Sequence, residues 1–367
     1  MTTRTLNRSV VQQIIDHALD PKEERVSDHL FIPTGSTLLN LALSDRADGG
    51  YCLGTMVNVI GDKSSGKTFL CLSTMAEAAH DDRFSGYEGR FDDAEAANRF
   101  DMVKLFGQKT ADWVKPAIED NEETNHSRTI QEFQIVSRKL LRRGTPLIYV
   151  LDSFDAISSD AEIAYADKAE EAYESGKEIK GTYAMDKAKL ASSCLRLING
   201  EIEHSKSLFI LISQTRDNID PMSFTSRTRA GGKALYFYCA TEMWIAIEKR
   251  LTVVVNDKPR VVGVQSKIKI TKNKYNGKER EISLPIFYDI GVDDVGSCVD
   301  FLIAEKWWTK SGSGVIDAKE LKRNETRAKL IKTIEENDLI PALHRITQKC
   351  WLSIEEKLKL DRKPRYT

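Results

Sequence analysis

The sequence carries almost no net charge: 54 Lys and Arg stand against 55 Asp and Glu, a balance of −1. That excludes a chain that holds nucleic acid by bulk attraction, so any contact with a phosphodiester backbone must come from local basic patches. No two of the six cysteines, at 52, 71, 194, 239, 298 and 350, have Cys-x-x-Cys spacing. They read as six separate thiols in a reducing compartment. No apolar run reaches the roughly 18 residues that a membrane span requires. Met1 to Val11 holds no apolar segment of the kind a secretory signal needs. An internal repeat is also lacking. The expectation is a soluble, intracellular (cytoplasmic) protein with no membrane partner.

What is present is length enough for a core. At 367 residues and 41% apolar content, the chain can bury one large core, or one core and a smaller appended domain. Val10, Val11, Ile14, Ile15 and Ala18 recur at helical spacing until Asp20-Pro21 breaks the pattern. This stripe either packs on its own domain or, set apart by the polar residues 21–28, docks on a neighbouring subunit. From Met56 the pattern becomes α/β. Met56 to Ile60, Leu147 to Leu151 and Leu208 to Ile212 read as buried strands between helices, which implies a mostly parallel sheet. Glu242 to Glu248, Leu251 to Val255, Val261 to Ile270 and Ile282 to Tyr288 follow closely, with turns at Asn256-Asp257 and Asn276-Gly277. They read as an antiparallel extension. Residues 157–187 are charged and poor in large apolar groups, and read as a long mobile insertion. Beyond about residue 292 two short amphipathic helices are expected, around Leu330 to Ile334 and Ile340 to Ile346, in a small C-terminal domain.

Gly61-Asp62-Lys63-Ser64-Ser65-Gly66-Lys67-Thr68 fits G-x-x-x-x-G-K-[ST] between a strand and a helix. The residue types answer to the chemistry. Two glycines let the backbone turn tightly with its N–H groups facing inward, and the helix behind adds the positive end of its dipole. Lys67 is placed to reach the β and γ phosphates of ATP, and the Thr68 hydroxyl to ligate Mg²⁺. Chance would produce the four fixed positions in roughly one chain of this length in a hundred. The strand Leu147 to Leu151 ends in Asp152, a second candidate in the magnesium shell. Hydrolysis further needs a group to orient or deprotonate water. Asp92-Asp93-Ala94-Glu95 lies where the next strand of a βαβ unit ends, and Glu95 is the candidate base, with Asp93 behind it.

At this point the chain resembles the RecA family of homologous-recombination ATPases, and within it the phage branch of UvsX-type recombinases. The likeness runs over about residues 30 to 305, through six segments in one order. They are Pro33 to Leu43, Gly61 to Thr68, Phe91 to Glu95, Phe209 to Arg216, Gly231 to Tyr238, and Lys269 to Lys274. The resemblance implies a RecA-like α/β P-loop ATPase core, mostly parallel with an antiparallel extension, over residues 31–291. It would be flanked by an N-terminal oligomerisation helix and linker over 1–30 and a small C-terminal domain over 292–367.

Roles follow from the resemblance alone. Glu95 would be the catalytic glutamate and Gln214 the γ-phosphate sensor, coupled to a second DNA loop over 215–230. Arg216, Arg227, Arg229, Gly231 and Gly232 would contact DNA there, with Lys189 and Arg196 as further candidates. Residues 160–187 would form the first DNA loop. Lys272 and Lys274 would stabilise transition-state charge from the neighbouring protomer. The partners implied are single-stranded DNA, double-stranded DNA as second strand, and further copies of the chain in a helical filament. The cofactors implied are ATP and Mg²⁺.

Three departures stand out. The first loop is enlarged and acidic, the aromatic and acid that family members place on the adenine are not found near Arg99 to Met102, where Phe100 is the candidate substitute, and Tyr236 replaces a lysine of many bacterial members, with Lys233 close by. Two other readings remain. One is a ring-forming motor of the same fold; the other is an ATP-switched structural filament without strand exchange.

Overall fold

The computed structural model describes residues 30–119, 124–175, 184–217, 227–229, 233–363 and 365. The expected N-terminal helix lies outside the described residues. In chain order the chain first lays down a small ribbon of β1 (Phe31–Ile32) and β2 (Tyr51–Cys52), with α1 (Thr37–Ser44) between them. Ser36 caps α1 by accepting from the Leu39 N–H, a contact worth about 1 kcal/mol. Then come β3 (Thr55–Gly61), α2 (Lys67–His80), β4 (Glu88–Asp92), α3 (Met102–Trp113), β5 (Val114–Pro116), α4 (Ile130–Leu141) and β6 (Leu147–Leu151). They are followed by α5 (Asp160–Glu174), α6 (Ala184–Ser205), β7 (Leu208–Asp217), β8 (Arg227–Arg229) and α7 (Lys233–Tyr238).

The main sheet has the order β12–β11–β10–β9–β3–β7–β6–β4–β5, where β9 is Thr241–Val255, β10 Lys258–Asn273, β11 Arg280–Phe287 and β12 Gly291–Val292. From β5 through β3 to β9 all pairs are parallel, and beyond β9 they are antiparallel. The expected parallel sheet with an antiparallel extension is therefore the observed one. Alternation along β3 explains its central place. Val57 and Val59 enter a core on one face with Leu70, Leu72 and Ile210. Met56 enters the core on the other with Leu211, Leu235 and Cys239.

Three expectations need correction. The two runs 242–248 and 251–255 are one strand, β9, whose far half pairs with β10 as a ribbon exposed on both faces. The charged stretch 157–187 is not a mobile loop over most of its described length. Ser159 and Glu162 form a reciprocal capping box that starts α5, and its Ala- and Glu-rich residues are good helix formers. Its lack of large apolar groups means an exposed helix, and residues 176–183 lie outside the described part. The C-terminal region holds more than two helices: α8 (Asp294–Ala304) and a three-stranded sheet of β13 (Thr309–Lys310), β14 (Val315–Ala318) and β15 (Arg323–Thr326) precede α9 (Arg327–Glu336) and α10 (Ile340–Lys357). Their buried side chains, among them Trp308, Leu330, Leu343 and Ile346, form a cluster of their own. All six cysteines are free thiols, five of them buried.

Candidate active site

The loop between β3 and α2 is held open by glycine. Gly61 passes so close to β9 that a Cβ would collide with the Ile245 carbonyl oxygen. Gly66 has φ of 93° and forms the N-cap of α2 without any side-chain capping bond. The first N–H groups of α2 are thus left for a ligand, and they carry the positive end of the helix dipole. Ser65 is fully buried, and its hydroxyl oxygen has no partner among the described residues. Its carbonyl accepts from Ser266 Oγ at 2.8 Å, which ties the loop to β10. Lys67 Nζ lies across the mouth, donating to the carbonyls of Gly61 at 2.9 Å and Asp62 at 2.7 Å. Burial lowers its pKa, against the pull of Asp152 and Glu95. A buried ammonium held by carbonyls, an orphaned hydroxyl and an uncapped helix end are together the donor set of a polyphosphate cradle.

The magnesium candidates meet beside it. Thr68 Oγ1 donates to Asp152 Oδ2 at 2.6 Å. Burial raises the Asp152 carboxyl to about 6, the charges of Glu95 and Asp93 add to this, and the Thr68 hydrogen bond and Lys67 oppose it. The negative charge of Glu95 and Asp93 around Asp152 favours a cation there. No group of three or more His, Cys, Asp or Glu among the described residues is set to enclose a metal alone. That fits Mg²⁺, which is held by one or two protein ligands together with substrate phosphates.

Glu95 follows β4 and is folded back over Asp152, its N–H donating to the Asp152 carbonyl at 3.0 Å. Glu95 Oε1 accepts from Ser153 Oγ at 2.6 Å and from Gln214 Nε2 at 2.7 Å. Gln214 is placed by its own backbone, whose N–H donates to Asp155 Oδ2 at 2.7 Å. The next residue, Thr215, donates from its hydroxyl to the Asp62 carboxylate of the cradle. Asp93, the alternative base, is occupied: its carboxylate accepts from the Ala97 and Asn98 N–H groups at 3.3 and 3.1 Å and so shapes the turn. Lys63 and Ser64 complete the loop, Ser64 at φ of 61°. Phe100 is 43% exposed and meets Phe69, the residue after Thr68, edge-on at 5.9 Å between ring centroids.

Lys272 and Lys274 are not at this site. Lys272 pairs with Glu242 of β9, which in turn pairs with Asn58 of β3, three residues short of Gly61. They therefore sit roughly 10 Å back along the sheet and two strands across from their own cradle. Lys272 Nζ donates to the Tyr236 carbonyl and lies 4.6 Å from the Tyr236 ring centroid.

The nucleic-acid candidates divide. β7 continues through Thr215 and Arg216 to Asp217, and Arg227–Arg229 pairs back on it antiparallel, Arg216 opposite Thr228 and Asp217 opposite Arg227. The ends of the expected loop 215–230 are thus a β-ribbon rather than loop. Residues 218–226, with Gly231 and Gly232, lie outside the described residues. Lys189 and Arg196 are exposed on α6, seven residues apart and hence on one side of the helix.

The model of the RecA N-terminal domain matches residues 18–293. Protein RecA of Acidothermus cellulolyticus is 29% identical over 300 residues, covering 80% of this chain and 78% of its own. Protein RecA 2 of Myxococcus xanthus is 31% identical over 291 residues, 79% of this chain and 72% of its own. Protein RecA of Ectopseudomonas oleovorans is 30% identical over 290 residues, with 79% and 74% covered.

Proposed function

The chain belongs to the RecA family, and from that premise we propose that it is an ATP-dependent DNA recombinase acting in recombination and repair. It assembles as a helical filament on single-stranded DNA and promotes homologous pairing and strand exchange with a double-stranded partner. The observation that carries this reading is the bond from Gln214 to Glu95. It joins the candidate base directly to the strand that runs on into the expected second DNA loop.

The residues have distinct work. Gly61 to Thr68 bind the phosphates of ATP, with Lys67 on the β and γ groups. Thr68 and Asp152 would hold Mg²⁺, which would supply positive charge to offset that of the phosphates. Glu95 orients and deprotonates the attacking water, and Ser153 and Gln214 hold its carboxylate in place. When the γ-phosphate arrives, Gln214 exchanges its bond with Glu95 for one to phosphate, and that exchange moves the strand carrying Arg216. Lys272 and Lys274, remote from their own cradle, serve the neighbouring protomer, so turnover depends on assembly. A head-to-tail interface of this kind propagates as a helix when its rotation does not close. Arg216, Arg227, Arg229, Gly231 and Gly232 contact the DNA backbone, with Lys189 and Arg196 beside them. Such binding is salt-sensitive and tolerant of sequence.

Residues 31–291 form the ATPase core and 292–367 a C-terminal domain, and the N-terminal segment 1–30 serves oligomerisation. No helix among the described residues is long and apolar enough to cross a membrane, in keeping with action inside the cell. Within the family we place the chain in the phage branch, on the likeness of its six segments; the enlarged acidic first segment and Tyr236, where many bacterial members have lysine, depart from the family pattern.

The acidic α5 also supports a second reading, an ATP-switched structural filament without strand exchange. A strand-exchange assay with matched and mismatched duplexes, paired with electron microscopy, separates these. Product from the matched duplex alone, on helical filaments, is expected. Filaments without product favour the structural reading, and closed hexamers a ring motor.

A further inference from the structure

A row of buried polar groups crosses the sheet at mid-height, on the face covered by α7. A polar residue stands inside the otherwise apolar strand β3. Asn58 is fully buried, and its Nδ2 donates to the Leu211 carbonyl and to Ser213 Oγ of β7, both at 2.9 Å. Ser213 is itself fully buried and immediately precedes Gln214. On the other side Asn58 stands opposite Glu242 of β9, a carboxylate 2% exposed. Glu242 Oε1 accepts from Thr271 Oγ1 at 2.9 Å and from Trp244 Nε1 at 3.1 Å. Thr271 immediately precedes Lys272. The row therefore begins one residue from Gln214 and ends one residue from Lys272.

A buried amide and a buried carboxylate in a sheet interior are costly compared with the Val and Ile around them, so packing alone does not call for them. What they supply is direction. Hydrogen bonds fix where each strand end sits more narrowly than apolar contacts do. Helix α7 covers this face. Leu235 and Cys239 pack with Met56, two residues before Asn58 on the same side of β3. The Lys272 ammonium rests on the Tyr236 carbonyl of that helix.

We propose that Asn58 and Glu242 are positioning residues for ATP turnover. Asn58 sets the strand end that carries Gln214 for the protomer's own site, and Glu242 sets Lys272 for the neighbour's. This rests on the recombinase reading above, with Gln214 acting within its own protomer and Lys272 acting across the interface. Neither residue touches nucleotide. Their loss leaves ATP affinity in place and lowers turnover.

The test uses the full chain on single-stranded DNA, with Asn58→Leu, Ser213→Ala, Glu242→Leu and Glu242→Gln. Ser213→Ala removes one of the two Asn58 acceptors, the one next to Gln214, with little change of volume, and so stands in if Asn58→Leu does not fold. ATP affinity is expected to stay within about twofold in all four, while kcat falls on the order of tenfold in all but Glu242→Gln. Glu242→Gln keeps the acceptor oxygen and is expected to retain turnover. Mixing then separates the two halves of the row. Co-assembled with Glu95→Gln, which binds ATP without turnover and offers an intact Lys272, Glu242→Leu sites regain activity. Asn58→Leu and Ser213→Ala sites do not.

Wild-type kcat in folded Asn58→Leu, Ser213→Ala or Glu242→Leu, or an equal response to mixing in both classes, would overturn the proposal. If instead the wild-type protein shows no DNA-stimulated turnover, the recombinase reading itself fails, which is a separate result.

Discussion

Gln214 Nε2 donates to Glu95 Oε1 at 2.7 Å, although the two residues stand 119 positions apart in the chain. The bond makes one unit of the proposed base and the proposed sensor, and it faces the cradle from the far half of β7. Replacing Glu95 by Gln removes the base and keeps the shape. Turnover is expected to fall by about 10²- to 10⁴-fold, with ATP affinity retained and filaments longer-lived. Single-turnover kinetics alongside nucleotide binding checks this. Normal hydrolysis in the variant would move the base elsewhere.

Gln214→Ala tests the other partner. The variant keeps Lys67, Thr68 and Asp152, so ATP binding should persist. The stimulation by DNA should fall by about tenfold or more, the size of a typical coupling between two sites. Turnover measured across a DNA titration reads this directly, and an unchanged stimulation would remove Gln214 from the coupling.

Lys67→Ala is expected to abolish tight ATP binding, because the ammonium is the one cation that spans the mouth of the cradle among the described residues. Thermal unfolding gives an independent reading. ATP with Mg²⁺ at about 100 times its dissociation constant stabilises a native state by about 2.7 kcal/mol. That shift should appear in the wild-type protein and vanish in the variant.

Much of this site was legible in the sequence. The cradle was, because backbone turns and an inward lysine demand fixed residue types at fixed spacing. Asp152 was also readable, as an acid ending a buried strand beside that loop. The bond between Glu95 and Gln214 was not, since spacing says nothing of two strand ends meeting across a sheet. Asn58 is one polar residue within a buried run, and only the register against Leu211 and Glu242 explains it. In the stretch 157–187 the low apolar content of Asp160–Glu174 reflects an exposed helix, not a loose segment. The capping box of Ser159 and Glu162 was the signal that a helix begins there. The strands β13 to β15 are two to four residues long, too short for alternation to show.

The C-terminal helix α10 is fastened to the core by charge. Arg280, 10% exposed, bonds Asp45 at 2.6 Å and Glu355 at 2.8 Å. It also donates to the Leu41 and Ala42 carbonyls, and its guanidinium lies 5.1 Å from the Trp351 ring centroid. Arg280→Ala removes these bonds but leaves Asp45 to Lys278 and Trp351 and Glu355 to Lys278, and should cost about 2 kcal/mol in denaturant unfolding. Burial would raise the Asp45 carboxyl, but the Trp351 hydrogen bond and the Arg280 charge outweigh it and hold it below the usual value. Its contribution is therefore present above the ordinary carboxyl pKa of about 3.9 and is lost as pH falls through the lower folded value. An acid titration of stability should show a shallower loss in the variant than in the wild-type protein.

The central claim is that ATP hydrolysis is coupled to assembly on DNA. Its most direct test is ATP turnover by the full chain with and without single-stranded DNA at low salt. The account predicts slow turnover alone and a large stimulation by DNA. High turnover without DNA, or none in either condition, would contradict it.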